Sequence, residues 1–428
     1  MSDHRHRIVV LGAGFAGLSA AKRAARRLRA APARITLVNA AEHFVERTRL
    51  HQTAAGQRMR DIRITDLLDG TGIEPVFAEV TGIDPESRTV RLKGAVDGRP
   101  GRIHYDTLVY ALGSSWDTRG VPGVEEHAFA VADARQADRL RDHLAERLAG
   151  RPGGAGAPAP LSEPVPALQG AGAAAEPESG GPAARGTAAG AAARHRIVVA
   201  GAGLTGLEAA AELAESYPRA RVELLSAGTV GDWLPPRSLR HLRRSLRRLG
   251  VSVREHAPVS AVEAGRALLD GGEAVGFDTL VWTAGFRVHP LAAEAGLAVD
   301  GGGRMLVDEA LRSVSHPDVI GVGDAAAAAT RGGVSRMTCQ TGLPMGLQAG
   351  EVVADVVRGR TPRPVRLRYV AVHISLGRRD GVSQFLRAND APVRAALTGR
   401  SSAVLKEAVT RGTVIALRHP GPYLPRLR

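Results

Sequence analysis

A chain of 428 residues is long enough for two or three domains. Its composition, 44% hydrophobic and 23% charged, is that of a core-forming protein, and its single cysteine, Cys339, excludes an internal disulfide, a redox-active dithiol and a cysteine-rich metal site. The formal charge of +14 comes from 57 basic residues, of which only Lys22, Lys93 and Lys406 are lysine; it allows attraction to anionic cofactors or an anionic membrane surface without pointing to nucleic acid.

The chain opens RIVVLGAGFAGLSAAKRA over residues 7–24: a short apolar strand, a glycine-rich turn and an alanine-rich helix. A basic start followed by an apolar run could imitate a secretory signal, but Gly12, Gly14 and Gly17 interrupt the run and no cleavage site follows. The expectation is a cytoplasmic chain without a transmembrane helix. A second strand is predicted at 33–40. Residues 77–92 read as a hairpin about Asp84-Pro85-Glu86-Ser87, and DTLVYALGS at 106–114 as a buried strand ending at Gly113. Residues 151–194 are almost wholly alanine, glycine and proline, a composition that cannot bury enough apolar area to offset ordering entropy, and read as a disordered insert.

Beyond the insert the pattern begins again. RIVVAGAGLTGLEAAAEL at 196–213 repeats the opening unit, ARVELLSA at 220–227 repeats its second strand, and DTLVWTAGF at 278–286 repeats the buried strand. Residues 236–250 put Leu239, Leu242, Leu246 and Leu249 on one helical face, with the arginines as a solvated face rather than a nucleic-acid surface. A short strand then ends at Gly321, before Gly323-Asp324.

Gly12-x-Gly14-x-x-Gly17 lies between a strand and a helix. That context suits a tight turn, close approach to a pyrophosphate, and a helix N-terminus aimed at phosphate. Gly201-x-Gly203-x-x-Gly206 repeats it. Two dinucleotide sites imply two dinucleotides, most simply a flavin and a nicotinamide. The strand ends that usually carry an acid carry Asn39 and Ser226 instead. Asn39 retains an amide for ribose hydroxyls. Ser226 carries no charge to repel a 2′-phosphate, which leaves NADH and NADPH both open, with Arg221 or Arg237 as partners for the phosphate. His43, His51, His256 and His373 have no metal-ligand spacing, and no metal site is expected.

With its glycine motifs, hairpin, ALGS and TAGF turns and Gly-Asp in this order, the chain resembles the two-dinucleotide-binding flavoprotein family of FAD- and NAD(P)-dependent pyridine nucleotide oxidoreductases. The stretches 38–56, 336–350 and 374–386 are most similar to type II NADH dehydrogenases. The resemblance implies an α/β fold of two Rossmann-like domains plus a small C-terminal α/β region. The corresponding divisions are 1–150 and 289–362 for FAD, 195–288 for NAD(P), and 363–428 for the C-terminal region. It further implies FAD held by Gly12, Gly14, Phe15, Ala16, Gly17, Asn39, Val80, Gly113, Gly323 and Asp324, with Asp324 on a ribityl hydroxyl or, alternatively, capping a helical AAAAAT segment. NAD(P)H would be held by Gly201, Gly203, Gly206, Glu208, Ser226 and Gly285, NADH being favoured by the likeness.

Glu208 reads either as a residue at the nicotinamide–flavin junction or as a first-turn glutamate favoured by the helix dipole. Cys339 and Gln340 are pocket candidates before a helix expected to start at Pro344; Cys339 is expected to be a packed thiol. Hydride would pass from nicotinamide to flavin and electrons onward, most simply to a quinone. A soluble electron carrier, a specialised metabolite, or a redox-sensing role with slow turnover are the alternatives. Residues 391–428 hold seven basic residues, a single carboxylate, Glu407, and the aromatic Tyr423. They suggest peripheral contact with an anionic membrane or a packed helix, and a homodimer stays open.

Overall fold

The computed structural model describes residues 5–96, 99–149 and 194–418; all but the final residue of the insert expected at 151–194, and the last ten residues, with Tyr423, lie outside them. The first repeat unit comprises β1 (His6–Leu11), α1 (Phe15–Arg27), β2 (Ala33–Asn39), β3 (Glu74–Phe77) and β4 (Thr107–Tyr110). The second comprises β5 (Arg196–Ala200), α2 (Leu204–Ser216), β6 (Arg221–Leu225), α3 (Pro236–Arg248), β7 (Ser252–Arg254) and β8 (Thr279–Trp282). Each forms a five-stranded parallel sheet. The first runs in the order Val319–Gly321, β4, β1, β2, β3, and the second in the order Phe129–Ala130, β8, β5, β6, β7. The central strands are apolar along their length because helices cover both faces of a parallel sheet.

The repeat extends to individual hydrogen bonds. His6 Nε2 lies 2.9 Å from the Thr107 hydroxyl, and His195 Nε2 lies 2.8 Å from that of Thr279. The Arg7 and Arg196 amides each donate to an aspartate, Asp106 and Asp278, at 2.7 Å. Pairing where β4 and β8 begin matches too, with Ile8 beside Thr107 and Ile197 beside Thr279.

The hairpin forms as the sequence suggests, Asp84 pairing with Thr89, and a third strand, Arg99–His104, extends it. The boundary expected near residue 150 differs. Strand Phe129–Ala130 joins the second sheet beside β8, and helix Ala134–Ala149 buries Ala137, Leu140 and Leu144 in the second core. The chain passes between the units on two paired strands: Ser114–Trp116 leads out, Phe286–Val288 leads back, and they pair antiparallel.

After its return the chain adds Val319–Gly321 to the first sheet, then runs through α4 (Cys339–Val357) to β9 (Ala371–Ser375), β10 (Gly381–Leu386), β11 (Pro392–Thr398) and α5 (Arg400–Arg418). The three strands form an antiparallel sheet. Val372, Ile374, Leu376 and Val382 bury against the second unit's core, whereas Val414 and Leu417 of α5 enter the first. The C-terminal region thus roofs the junction between the units. The alanine run after Asp324 is not helical: Ala326–Ala327 and Ala329–Thr330 are short strands, so helix capping does not explain Asp324.

Candidate functional site

At the C-terminal end of β1 the turn is shaped by its glycines. Gly12 has φ +95°, and a Cβ there would overlap the Ala111 carbonyl oxygen. A Cβ on Gly17 would overlap the Gly12 carbonyl, so this glycine lets helix pack on turn. A Cβ on Gly14 would meet nothing within 4 Å, which leaves its approach open. The second turn repeats all three properties: Gly201 at φ +105°, Gly206 against the Gly201 carbonyl, and Gly203 with open space. Neither α1 nor α2 has a side-chain N-cap or an acidic residue in its first turn. The free N–H groups and the positive end of the helix dipole are therefore available to phosphate in both units. An open cradle over an uncapped helix N-terminus fits a dinucleotide pyrophosphate at each site.

Around the first cradle the expected residues converge. Phe15 and Ala16 begin α1 and are buried. The Asn39 carbonyl oxygen Oδ1 accepts from the Ala13 amide at 2.9 Å, and its Nδ2 donates to the Ala41 carbonyl at 2.7 Å. Ala78, two residues before Val80, donates to the Asn39 backbone carbonyl at 3.0 Å, bringing the hairpin to the same edge. Gly113 has φ +72° in the turn after β4. Asp324 Oδ2 accepts from the Ser114 hydroxyl at 2.7 Å, and Gly323 donates to the Met345 sulfur at 3.0 Å. Sequence reasoning missed Arg47, whose guanidinium donates to the Ser114 carbonyl at 2.8 Å and lies 3.4 Å from the Ser114 hydroxyl. Arg47, Ser114 and Asp324 form one chain of polar contacts at this end of the first sheet. An arginine within the 38–56 stretch was the available signal.

Around the second cradle, Gly285 (φ +126°) lies in the turn after β8, and its carbonyl accepts from the Asp117 amide at 3.2 Å. Ser226 is buried, with its amide on the Arg254 carbonyl at 2.9 Å. Arg221 begins β6, so roughly 16 Å of extended strand separates it from Ser226, and it cannot meet a 2′-phosphate at the strand's other end. Arg237 opens α3 after the loop that leaves β6 and keeps that possibility.

Glu208 is not a first-turn residue. It stands fifth in α2, and its carboxylate is paired with Lys406 of α5. The Ser375 amide donates to Glu208 Oε1 at 2.9 Å, and Lys406 Nζ donates to the Ser375 hydroxyl at 2.7 Å. Burial acts to raise the Glu208 pKa, but Lys406, His51 and the Ser375 amide together hold it below the usual carboxylate range. His51 Nδ1 lies 3.8 Å from the Glu208 carboxylate, while its Nε2 is buried without a partner. Burial pulls this imidazole down to about 4, so it is neutral at neutral pH.

The helix α4 starts at Cys339, five residues before the Pro344 start expected from sequence. Thr338 makes the N-cap, its hydroxyl accepting from the Gln340 amide at 3.4 Å, and Pro344 lies inside the helix. Gln340 Nε2 donates to the Ala371 carbonyl at 2.6 Å, linking α4 to β9. Burial, reinforced by the Asp324 charge, pushes the Cys339 thiol up to about 11, which keeps it protonated at neutral pH. The Arg47–Asp324 group, the α4 N-terminus and the Glu208–Lys406 pair thus share one region beneath the C-terminal sheet.

Residues 6–346 match the pyridine nucleotide-disulphide oxidoreductase family. The chain is 32% identical over 392 residues to an NADH dehydrogenase-like protein of Mycobacterium tuberculosis, covering 87% of this chain and 86% of that protein. It is 27% identical to a type II NADH:quinone oxidoreductase of Staphylococcus epidermidis, covering 97% of each. Its fold is similar to that of a sulfide:quinone oxidoreductase from Aquifex aeolicus, with TM-score 0.74 at 17% identity, covering 96% of this chain and 91% of that one. With paired dinucleotide cradles and this extent of likeness, the chain is an FAD- and nicotinamide-dependent oxidoreductase that belongs to the pyridine nucleotide-disulphide oxidoreductase family.

Proposed function

We propose that the protein oxidises NADH and delivers the electrons, through its flavin, to a quinone. The carrying observation is the largely buried Glu208–Lys406 pair beneath the C-terminal sheet, its side chains 13% and 16% exposed. Quinone reduction to quinol takes two electrons and two protons, and this pair is an enclosed proton source in the same region as Cys339 and Gln340. The bound flavin supplies the hydride-accepting and electron-donating chemistry. The protein's residues do the rest. The Gly12 and Gly201 turns position the two pyrophosphates, Asp324 offers Oδ1 to a ribityl hydroxyl while Ser114 holds Oδ2, and Lys406 holds a proton at Nζ for an acceptor oxygen. Quinone is also the second partner named for the Staphylococcus and Aquifex proteins.

A quinone acceptor suits a protein at a membrane surface. No helix among the described residues is long and apolar enough to cross a membrane. On α5, however, Val404 and Ile415 are exposed, on the helical face that also carries Arg400 and Arg411. These residues would lie on an anionic cytoplasmic surface. Lys406, counted among the basic residues of this region from sequence, faces inward and takes no part in that contact.

Anaerobic NADH should bleach the flavin of the purified protein, and menadione should restore its colour within the turnover time. Rapid reoxidation by a small iron–sulfur protein together with none by any quinone would replace this reading with that of a soluble-carrier reductase.

A further inference from the structure

Helix α2 carries a second buried carboxylate that the reaction as described leaves unused. Glu212 follows Glu208 by four residues and Glu215 follows by three more, so the three acids share one face of the helix, about 6 Å apart at successive turns. Glu208 faces the junction between the units, and Glu215 is about a third exposed. Glu212 lies between them with its side chain 1% exposed.

The contacts of Glu212 are asymmetric. Its Oε1 accepts from Gln57 Nε2 and faces Arg378 Nε at 3.5 Å. Its Oε2 is buried without a hydrogen-bond partner. An ionised carboxylate there would leave one oxygen unsolvated, whereas the acid form places a hydroxyl on it. Burial, with the nearby Glu215 charge, pushes this carboxyl up to about 7, against the opposing pull of Arg378 and Lys406. Gln57 comes from the segment after helix Leu50–Ala54, Arg378 from the turn between β9 and β10, and Lys406 from α5. The outer end is a polar edge: the Arg378 amide donates to Glu215 at 2.7 Å, and its guanidinium reaches the Ser216 hydroxyl at 3.2 Å.

We infer that Glu212 is the internal proton carrier that replenishes the Glu208–Lys406 pair from solvent at the Arg378–Glu215 edge. This role rests on the quinone reading. NADH, one proton and quinone give NAD⁺ and quinol. The hydride brings both electrons and one proton, and the second proton leaves the Glu208–Lys406 pair for the acceptor oxygen. Glu212 gives its proton to the depleted pair one helical turn away. It becomes a carboxylate held by Gln57 and Arg378, then takes a proton from solvent. Glu212 touches neither cofactor nor acceptor and acts only through Glu208 and Lys406.

The test follows reoxidation of NADH-reduced holoenzyme by menadione and by ferricyanide, which accepts electrons without protons, across pH 5.5–9. In the wild type the menadione step slows as pH rises through about 7, and the ferricyanide step does not. Glu212→Gln lowers the menadione-to-ferricyanide rate ratio on the order of 10²-fold and abolishes the pH limb. Glu212→Asp restores the limb. Arg378→Gln moves it to higher pH, because a cation that favours the carboxylate is gone. An unchanged ratio and limb in Glu212→Gln overturn the assignment, as does an unmoved limb in Arg378→Gln if the first variant fails to fold. A wild type that reduces ferricyanide but not menadione overturns the quinone reading and this role with it.

Discussion

His51 and Glu212 are buried groups displaced in opposite directions, and pH therefore pulls on the fold from two sides. Burial takes His51 from 6.5 to about 4. The unfolded chain protonates first as pH falls, so the contribution of His51 is complete above pH 6.5 and is lost between 6.5 and about 4. Burial takes Glu212 from 4.5 to about 7. Here the folded state holds the extra proton, so the contribution is complete below pH 4.5 and is lost as pH rises through about 7. Each is worth about 3 kcal/mol, and between pH 4.5 and 6.5 the two slopes cancel. His51→Gln should therefore show a melting temperature that climbs, relative to wild type, as pH falls through this window, and Glu212→Gln one that drops. Thermal melts by circular dichroism across the window measure both, and parallel curves would show that neither shift exists. At this scale the sequence was legible where a turn or strand end imposes a residue, as at Gly12, Gly17 and Asn39. Arg47 was not legible, because its role exists only once the chain has brought it to Ser114 and Ser114 to Asp324, partners 67 and 210 residues apart in sequence. Gln57 and Glu212, 155 residues apart, were hidden for the same reason.

Helices α1 and α4 lie together along a seam of glycines. A Cβ on Gly346 would overlap the Ala16 carbonyl, and one on Gly350 would sit 2.6 Å from the Arg23 Cβ and 2.8 Å from the Ala20 carbonyl. Gly342, Gly346 and Gly350 recur every four residues and leave one face of α4 flat enough for backbone contact. The same contact sets α1 beneath Gly323, whose own Cβ would lie 3.0 Å from the Ala16 Cβ. Gly346→Val should cost about 1–3 kcal/mol and lower flavin content together with the melting temperature. Gly412, in the exposed part of α5 with nothing within 4 Å of a Cβ, is the control, and Gly412→Ala should raise stability by roughly 0.5–1 kcal/mol. Similar gains from both substitutions would show that helix propensity, not the seam, governs Gly346. Strands β1, β2, β4, β5, β6 and β8 and helices α1, α2 and α3 were readable from apolar runs and glycine turns, whereas the short strands β3 and β7 were not. The start of α4 was misplaced because proline commonly opens a helix, whereas here the Thr338 hydroxyl ends the preceding loop and Pro344 is tolerated one turn further in.

The repeat, visible as two copies of one sequence pattern, is visible again as two parallel sheets in which four strands run in the same order, β4-β1-β2-β3 and β8-β5-β6-β7, while the fifth strand follows the others in sequence in the first unit and precedes them in the second. The division between them was not legible near residue 150, because a two-residue strand and a helix declare their sheet only by pairing and packing. The span 151–194 falls between helix Ala134–Ala149 and β5, both within the second unit. Replacing that span with a short flexible linker should leave flavin content and melting temperature near their wild-type values, since loop closure depends only weakly on length. A collapsed melting transition with lost flavin would mean that the span contributes to the core. The paired crossing strands carry a further consequence. Ser114 lies beside Val288 and Trp116 beside Phe286, so the points where the chain leaves and rejoins the first unit are hydrogen-bonded neighbours, about 5 Å apart. To the first unit, the whole second unit is topologically a decorated loop. A gene encoding one such unit could acquire the other by a single duplication and insertion at this point, without breaking a strand of the original sheet. That nested plan accounts for two similar modules sharing one chain while only one of them is continuous in sequence.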